Sequence, residues 1–320
     1  MPALIHVTDP MAARLPPEWA GIGSCPLPVA AGAATDLLGC HALVLTVTGR
    51  LIAEIDFTQH TCEPGTLLWL RPGQAVRFEK PAAARGRAEQ TGPDPDGEVP
   101  GDARDEKDEP GPAVTIIFRS GLFAPDELPG LTPDDPDGPA REPLTLPDPD
   151  AFRAAFERLA RDTEGVPGAA AAALLRHELA ALLLRLSLLD PGPAAAGHVE
   201  SRTFERFRRR LEEGYPHTRR VEDYAAELSC SVRTLTRASL ALTGRTAKQV
   251  VDDRVALQAR RLLAATPLSV AEVGRSLGFG EPTNFGRFFH RETGLSPGQF
   301  RARFTTDRPS GIPGQRPPVD

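Results

Sequence analysis

VEDYAAELSCSVRTLTRASLAL, residues 221–242, and SVAEVGRSLGFGEPTNFGRFFH, residues 269–290, carry one pattern twice: an amphipathic helix, a tight turn and a second helix. In the second copy Ser269 and Glu272 stand at the spacing of a capping box that opens a helix. Val270, Val273 and Leu277 form its inner face, and Gly278 makes the turn. In the helix that follows, Phe285, Phe288 and Phe289 recur at i, i+3 and i+4, the spacing of a buried stripe. Thr283, Asn284 and Arg287 are left on the outer face, and Pro282 suits the first turn, where its missing N–H costs nothing. The first copy repeats the logic. Tyr224, Ala225 and Leu228 pack the leading helix, Ser229–Ser231 turn the chain, and Ser231 is the expected N-cap. Leu235, Ala238 and Leu242 are expected inside, with Arg233, Thr236 and Arg237 outside. Arginine can donate to both O6 and N7 of guanine, so such a face can read bases.

One such pattern could be any helical hairpin. Two in tandem point to a polypeptide that places two recognition helices in successive major grooves of DNA. Thr246 caps the helix expected between them, which runs through Val250, Leu257, Leu262 and Leu263 and fixes their separation. To act on one face of a duplex the readers must lie roughly 34 Å apart. Arg219, Arg220, Arg245 and Lys248 are better placed for phosphate contacts or plain solvation.

The charge distribution agrees. The chain of 320 residues carries a net −6, yet residues 198–304 hold 19 Arg and Lys against 12 Asp and Glu, leaving 18 against 31 elsewhere. A basic C-terminal domain joined to an acidic partner domain is the expected organisation. Cys25, Cys40, Cys62 and Cys230 form no CxxC pair, which fits free thiols in a reducing, cytoplasmic setting. The start of the chain lacks a signal-peptide pattern. The most apolar run, residues 169–189, is broken by Arg176, His177, Glu178 and Arg185 and does not read as a membrane span.

Towards the N-terminus the period changes to two. His41–Thr48 alternates Leu43, Leu45 and Val47 with Ala42, Val44 and Thr46, the pattern of a strand. Gly49-Arg50 reads as a hairpin turn before a returning strand, Leu51–Phe57. Thr66–Leu70, Ala75–Phe78 and Val114–Arg119 are further strands, punctuated by Pro64-Gly65 and Pro72-Gly73. Short strands of this kind predict a small antiparallel barrel or jelly roll. Residues 81–112 are rich in Pro, Gly, Asp and Glu and read as a disordered acidic insert. Helices follow at Asp150–Thr163 and from after Pro167-Gly168 to Asp190. In the latter, Leu175, Leu179, Leu182, Leu186 and Leu189 step by four and three, a coiled-coil seam that would dimerise the chain. The same spacing would serve a helix packed on its own barrel, with Leu174 and Leu183 widening the stripe.

The fold expected is therefore α+β. A barrel domain with dimerisation helices spans 1–190, a linker 191–200, an all-α domain with two helix-turn-helix motifs 201–304, and a disordered tail 305–320. Arg254, Ala259–Leu263, Ser269–Val273, Gly278-Phe279, Asn284–Phe289 and Gly294–Arg301 make the C-terminal part resemble the DNA-binding domain of AraC/XylS-type transcription regulators. The N-terminal part is similar, more weakly, to that family's cupin-like effector and dimerisation domain. The resemblance implies base contacts from Arg233, Thr236 and Arg237 in one helix and from Thr283, Asn284 and Arg287 in the other. It also implies a homodimer that activates transcription by contact with RNA polymerase. Where many members have Phe-Lys pairs, this chain has Ser239-Leu240 and Phe289-His290.

Some cupins are metal oxygenases, but that chemistry needs several His and a carboxylate converging on one metal. His6, His41 and His60 form no HxH pair, so neither an enzyme nor a cofactor is expected. A small-molecule effector inside the barrel, lined by His41, Trp69, Arg71 and Arg77, is the first reading of the N-terminal domain. The alternative is a constitutive DNA-binding regulator whose barrel only dimerises or binds a protein partner.

Overall fold

A computed structural model of the chain describes residues 15, 21–27, 35–79, 113–124, 127–135, 143–189 and 199–305. The expected acidic insert at 81–112, most of the 191–200 linker and the tail beyond 305 lie outside the described residues.

Among the described residues the N-terminal half forms nine strands: β1 (Ile22–Ser24), β2 (Asp36–Leu37), β3 (His41–Thr46), β4 (Leu51–Ile55), β5 (Thr58–Cys62), β6 (Thr66–Leu70), β7 (Ala75–Glu79), β8 (Ala113–Phe118) and β9 (Leu144–Thr145). They form two antiparallel sheets, ordered β1-β8-β3-β6-β9 and β2-β7-β4-β5. Among the described residues no strand pair joins the sheets, so the expected closed barrel is a pair of facing sheets with open edges. Nor do β3 and β4 form the expected hairpin. β3 pairs with β6 and β8, whereas β4 pairs with β5 and β7, so the chain crosses between sheets at Gly49.

The five-stranded sheet is buried on both faces. Ala42, Val44, Leu68, Leu70 and Ile117 point towards Leu51, Ala53, Ile55, Val76 and Phe78 of the other sheet and fill the space between them. Leu43, Leu45, Leu67, Trp69, Ile116 and Phe118 point outwards, under α1 (Pro149–Asp162) and α2 (Ala169–Leu189). Val44 breaks the apolar–polar alternation because its face is core as well. The outer face needs a cover, and α2 supplies it. Leu175, Leu179, Leu182 and Leu186 are buried against this sheet and α1, and only Leu189 stays exposed. The four-and-three leucine spacing thus serves the chain's own core and does not form a free seam.

The C-terminal half is helical: α3 (Val199–Gly214), α4 (Val221–Glu227), α5 (Val232–Thr243), α6 (Ala247–Ala265), α7 (Val270–Ser276), α8 (Pro282–Thr293) and α9 (Pro297–Thr305). α6 is a shared spine. Its first half, through Ala247 and Val251, packs with α3, α4 and α5. Its second half, through Val255, Ala259, Leu262 and Leu263, packs with α7, α8 and α9. Both expected caps are present as full capping boxes, Thr246 with Gln249 and Ser269 with Glu272.

The two halves meet at the tip of the β4–β5 hairpin. Ile55 pairs with Thr58, leaving Asp56 and Phe57 as a two-residue turn with φ of 50° and 69°. Positive φ at both central residues is the mark of the type I′ turn, one of the two that match strand twist. The Asp56 carboxylate accepts from Arg261 Nε at 2.6 Å and Nη2 at 2.7 Å. Gln74 Nε2 and the Ala75 amide complete its shell at 3.0 and 3.1 Å. Phe57 meets Phe300 and Phe304 edge-on, with both ring centroids 5.4 Å away, and Arg260 lies over its ring. Burial works to raise the Asp56 carboxyl, but the Arg261 hydrogen bonds and charge outweigh it and hold the group below the usual carboxylate range.

Candidate nucleic-acid interface

The two helix pairs are built alike. After α4, Ser229 takes a left-handed φ of 53°, and its amide and that of Cys230 return to Ala226 and Ala225 carbonyls. After α7, Gly278 takes φ 74°, and the Gly278 and Phe279 amides return to Arg275 and Gly274. The same turn is thus made once with serine and once with glycine. A β-carbon on Gly278 would meet the Pro216 carbonyl oxygen at 3.0 Å, so the second turn also needs glycine for space. Each second helix ends on a left-handed glycine, Gly244 and Gly294.

α5 opens on Ser231, whose hydroxyl accepts from the Thr234 amide at 3.1 Å. Leu235 and Ala238 are buried as expected, but Leu242 is 47% exposed. The inward position next to Ala238 belongs to Ser239, whose hydroxyl donates to the Leu235 carbonyl at 2.8 Å and so can be buried. Arg233 and Arg237 are exposed, and Thr236 is partly so. Arg233 makes no hydrogen bond or ion pair with another described residue, while Arg237 reaches Glu200 of α3 at 3.4 Å. α8 buries Phe285, Phe288 and Phe289 and leaves Thr283, Asn284 and Arg287 exposed. Each pair therefore presents a polar outer face at the N-terminal half of its second helix. Such a face offers donors to a partner while the helix stays anchored from behind.

Tyr224 ties α4 to the preceding loop. Its ring packs on Phe207, its hydroxyl donates to the Thr218 carbonyl at 2.9 Å, and burial pushes its pKa up to about 12. Arg254 anchors α6 to α3, donating through Nε to both Glu212 oxygens at 2.9 and 2.7 Å. These contacts fix the pose of both outer faces. Arg291 and Asp252, beside the α8 face, were not singled out from the sequence. Their pairing at 3.2 Å spans α6 and α8, and no local pattern signals it.

In the N-terminal half, three of the four expected effector residues come together. Trp69 Nε1 donates to His41 Nδ1 at 3.3 Å, and the His41 Nε2 proton goes to Asp134 at 2.8 Å. Indole is donor-only, so this arrangement fixes the His41 tautomer. His41 stacks on Phe118, and Arg71 lies over Trp69 while donating to the Pro133 and Asp135 carbonyls. The cluster sits on the outward face of its sheet, beneath residues 131–135. Burial holds His41 below the ordinary imidazole value, against the pull of Asp134, which is itself held down at about 2 chiefly by the His41 hydrogen bond. Arg77 is elsewhere, paired with Glu54 at 2.5 Å on the other sheet.

All four cysteines are free thiols. Among the described residues no group of three His, Cys, Asp or Glu could hold a metal, and no helix is long and apolar enough to cross a membrane.

A family model described as "Helix-turn-helix domain" matches residues 224–303, from α4 to α9. The chain is 30% identical over 142 residues to the HTH-type transcriptional activator RhaS of Salmonella schwarzengrund, covering 44% of this chain and 49% of that protein. It is 33% identical over 81 residues to the HTH-type transcriptional activator RhaR of Salmonella heidelberg, covering 25% of this chain and 29% of that protein. The chain thus spans half or less of the curated relatives it matches. A solved DNA-binding domain of AdpA, in complex with a target DNA, is 35% identical and covers 34% of this chain and 97% of that one, with a TM-score of 0.31. Residues 224–303 are thus a helix-turn-helix domain similar to those of the activators RhaS and RhaR, in line with the resemblance to AraC/XylS-type regulators.

Proposed function

We propose that the protein is a sequence-specific DNA-binding transcriptional regulator, an activator whose N-terminal half senses a small molecule. The observation that carries the reading is the doubled outer face, with Arg233, Thr236 and Arg237 on α5 and Thr283, Asn284 and Arg287 on α8. Two such helices on one spine suit two successive major grooves. Residues 201–304 act as the DNA-binding domain and 1–190 as a cupin-like sensor and dimerisation domain. The names of RhaS and RhaR as activators support the sign of regulation, with RNA polymerase as the partner. A homodimer would use the outward side of α2, where Leu174 and Leu188 are exposed.

In vitro selection of random duplexes by the full-length protein tests the reading. Two half-sites, centred about 10 bp apart, should be enriched. Recovery of unpatterned sequence would refute it.

One observation favours the constitutive alternative: the space between the sheets is filled by apolar side chains, and His41, Trp69 and Arg71 are engaged with one another and with residues 133–135. Melting the full-length protein against a metabolite panel separates the two, because a ligand of the folded state raises stability by mass action.

A further inference from the structure

Between the loop before α4, the first turns of α6 and α8 lies an open cleft of about 410 Å3. Four cations line it: Arg219, Lys248, Arg287 and Arg291. A single carboxylate faces them. Asp252, only 10% exposed, takes Lys248 on one oxygen and Arg291 on the other. The floor is aromatic, made by Phe279 and Phe288.

The donors are not used up. Lys248 gives one of its three N–H groups to Asp252, and Arg291 spends Nη2 on Asp252 and Nε on Glu292, which leaves Nη1. The Arg219 guanidinium lies over Phe279, its carbon 3.4 Å from the ring centroid, with Nη1 buried and unbonded. Arg287 makes no hydrogen bond or ion pair with any other described residue. Four positive charges against Asp252 in the cleft and Glu292 beside Arg291 leave a net positive site, partly shielded from water, that gains by taking an anion.

Asn284 and Arg287 line this same cleft, so it opens onto the outer face of α8. A duplex read by α5 and α8 in successive major grooves must pass a strand across the intervening minor groove, between the two helices. We propose that the cleft grips a phosphodiester of that crossing strand, with Lys248 and Arg291 donating to its oxygens and Arg219 adding positive charge from the Phe279 floor. Asp252 holds two of the cations by one edge and aims their remaining N–H groups at the phosphate. The inference rests on the DNA-binding reading. It adds a source of affinity that is blind to sequence.

The test is the salt dependence of full-length protein binding to a 30-bp duplex of random sequence. Lys248→Gln and Arg291→Gln alter exposed side chains, and melting curves check that each variant folds. Each phosphate contact removed should lower the slope of log K against log salt by about one, roughly a fourfold smaller loss of affinity between about 50 and 200 mM salt. Lys248→Arg should restore the slope, and Arg153→Gln on α1 should leave it unchanged. Wild-type slopes in both Gln variants would overturn the proposal while leaving DNA binding standing. Inorganic phosphate that raises the melting temperature of wild type alone, with equal duplex slopes, would make the cleft a small-anion site and overturn it too. A wild-type chain that binds no duplex would refute the DNA-binding reading itself.

Discussion

Arg233 and Arg237 have the same chemistry but not the same freedom. Arg233 approaches a partner unencumbered, whereas Arg237 must first leave Glu200, an exposed pair that costs little to break. Arg233→Ala should therefore weaken binding to a selected site by about 1–3 kcal/mol and barely affect random duplex. Competition titrations against both DNAs check this, and equal losses would make Arg233 a phosphate contact. His41 gives a second prediction. Its folded pKa lies below 6.5, so the folded state favours the neutral ring and the unfolded chain takes up the proton first. The resulting stability is complete above pH 6.5 and is lost as pH falls through the folded value. Melting temperature should drop over that interval, and His41→Gln should flatten the drop. An unchanged pH profile would show that the ring is not held neutral.

At the scale of elements, the two turns that look alike should respond differently. Gly278→Ala places a β-carbon in a left-handed conformation and against the Pro216 carbonyl, and should cost about 1–2 kcal/mol or more in denaturant melts. Ser229→Ala, already left-handed with a β-carbon, should be nearly neutral. On α2, Leu182→Arg is a core lesion and should unfold the sheet–helix domain. Leu188→Arg is the substitution that tests a dimer without harming the fold, by sedimentation at fixed concentration. These contrasts mark what the sequence could and could not disclose. Capping boxes, left-handed glycines and the Phe285–Phe289 stripe were legible because each is decided within a few residues. The direction of the α2 leucines was not, since the same spacing suits a partner helix or a sheet beneath. Leu242 stays exposed where its apolar side chain predicts burial, because Ser239 hides its hydroxyl in its own helix and takes the inward place. The placement of His41 and Trp69 depended on which face of a doubly buried sheet they occupy, and alternation cannot choose between two apolar faces.

At the scale of the molecule, the β4–β5 tip matters most among the features no local pattern announced, since Asp56 and Arg261 lie 205 residues apart. Both side chains are largely buried, so Asp56→Ala strands a guanidinium and should loosen the docking of the two halves by about 3–5 kcal/mol. Faster amide hydrogen exchange in α9 and the second half of α6 would register it, and unchanged protection would mean the tip is not what holds the halves together. The tip rests on the helices that support α8, and the strands behind it belong to the half proposed to sense a ligand. That arrangement carries a thermodynamic obligation. If a ligand of the sheets changes DNA affinity through this contact, DNA must change the affinity for that ligand by the same factor. An operator duplex could then serve as the reagent that reveals the effector, since a compound that binds more tightly or more weakly once the duplex is present declares itself by that difference.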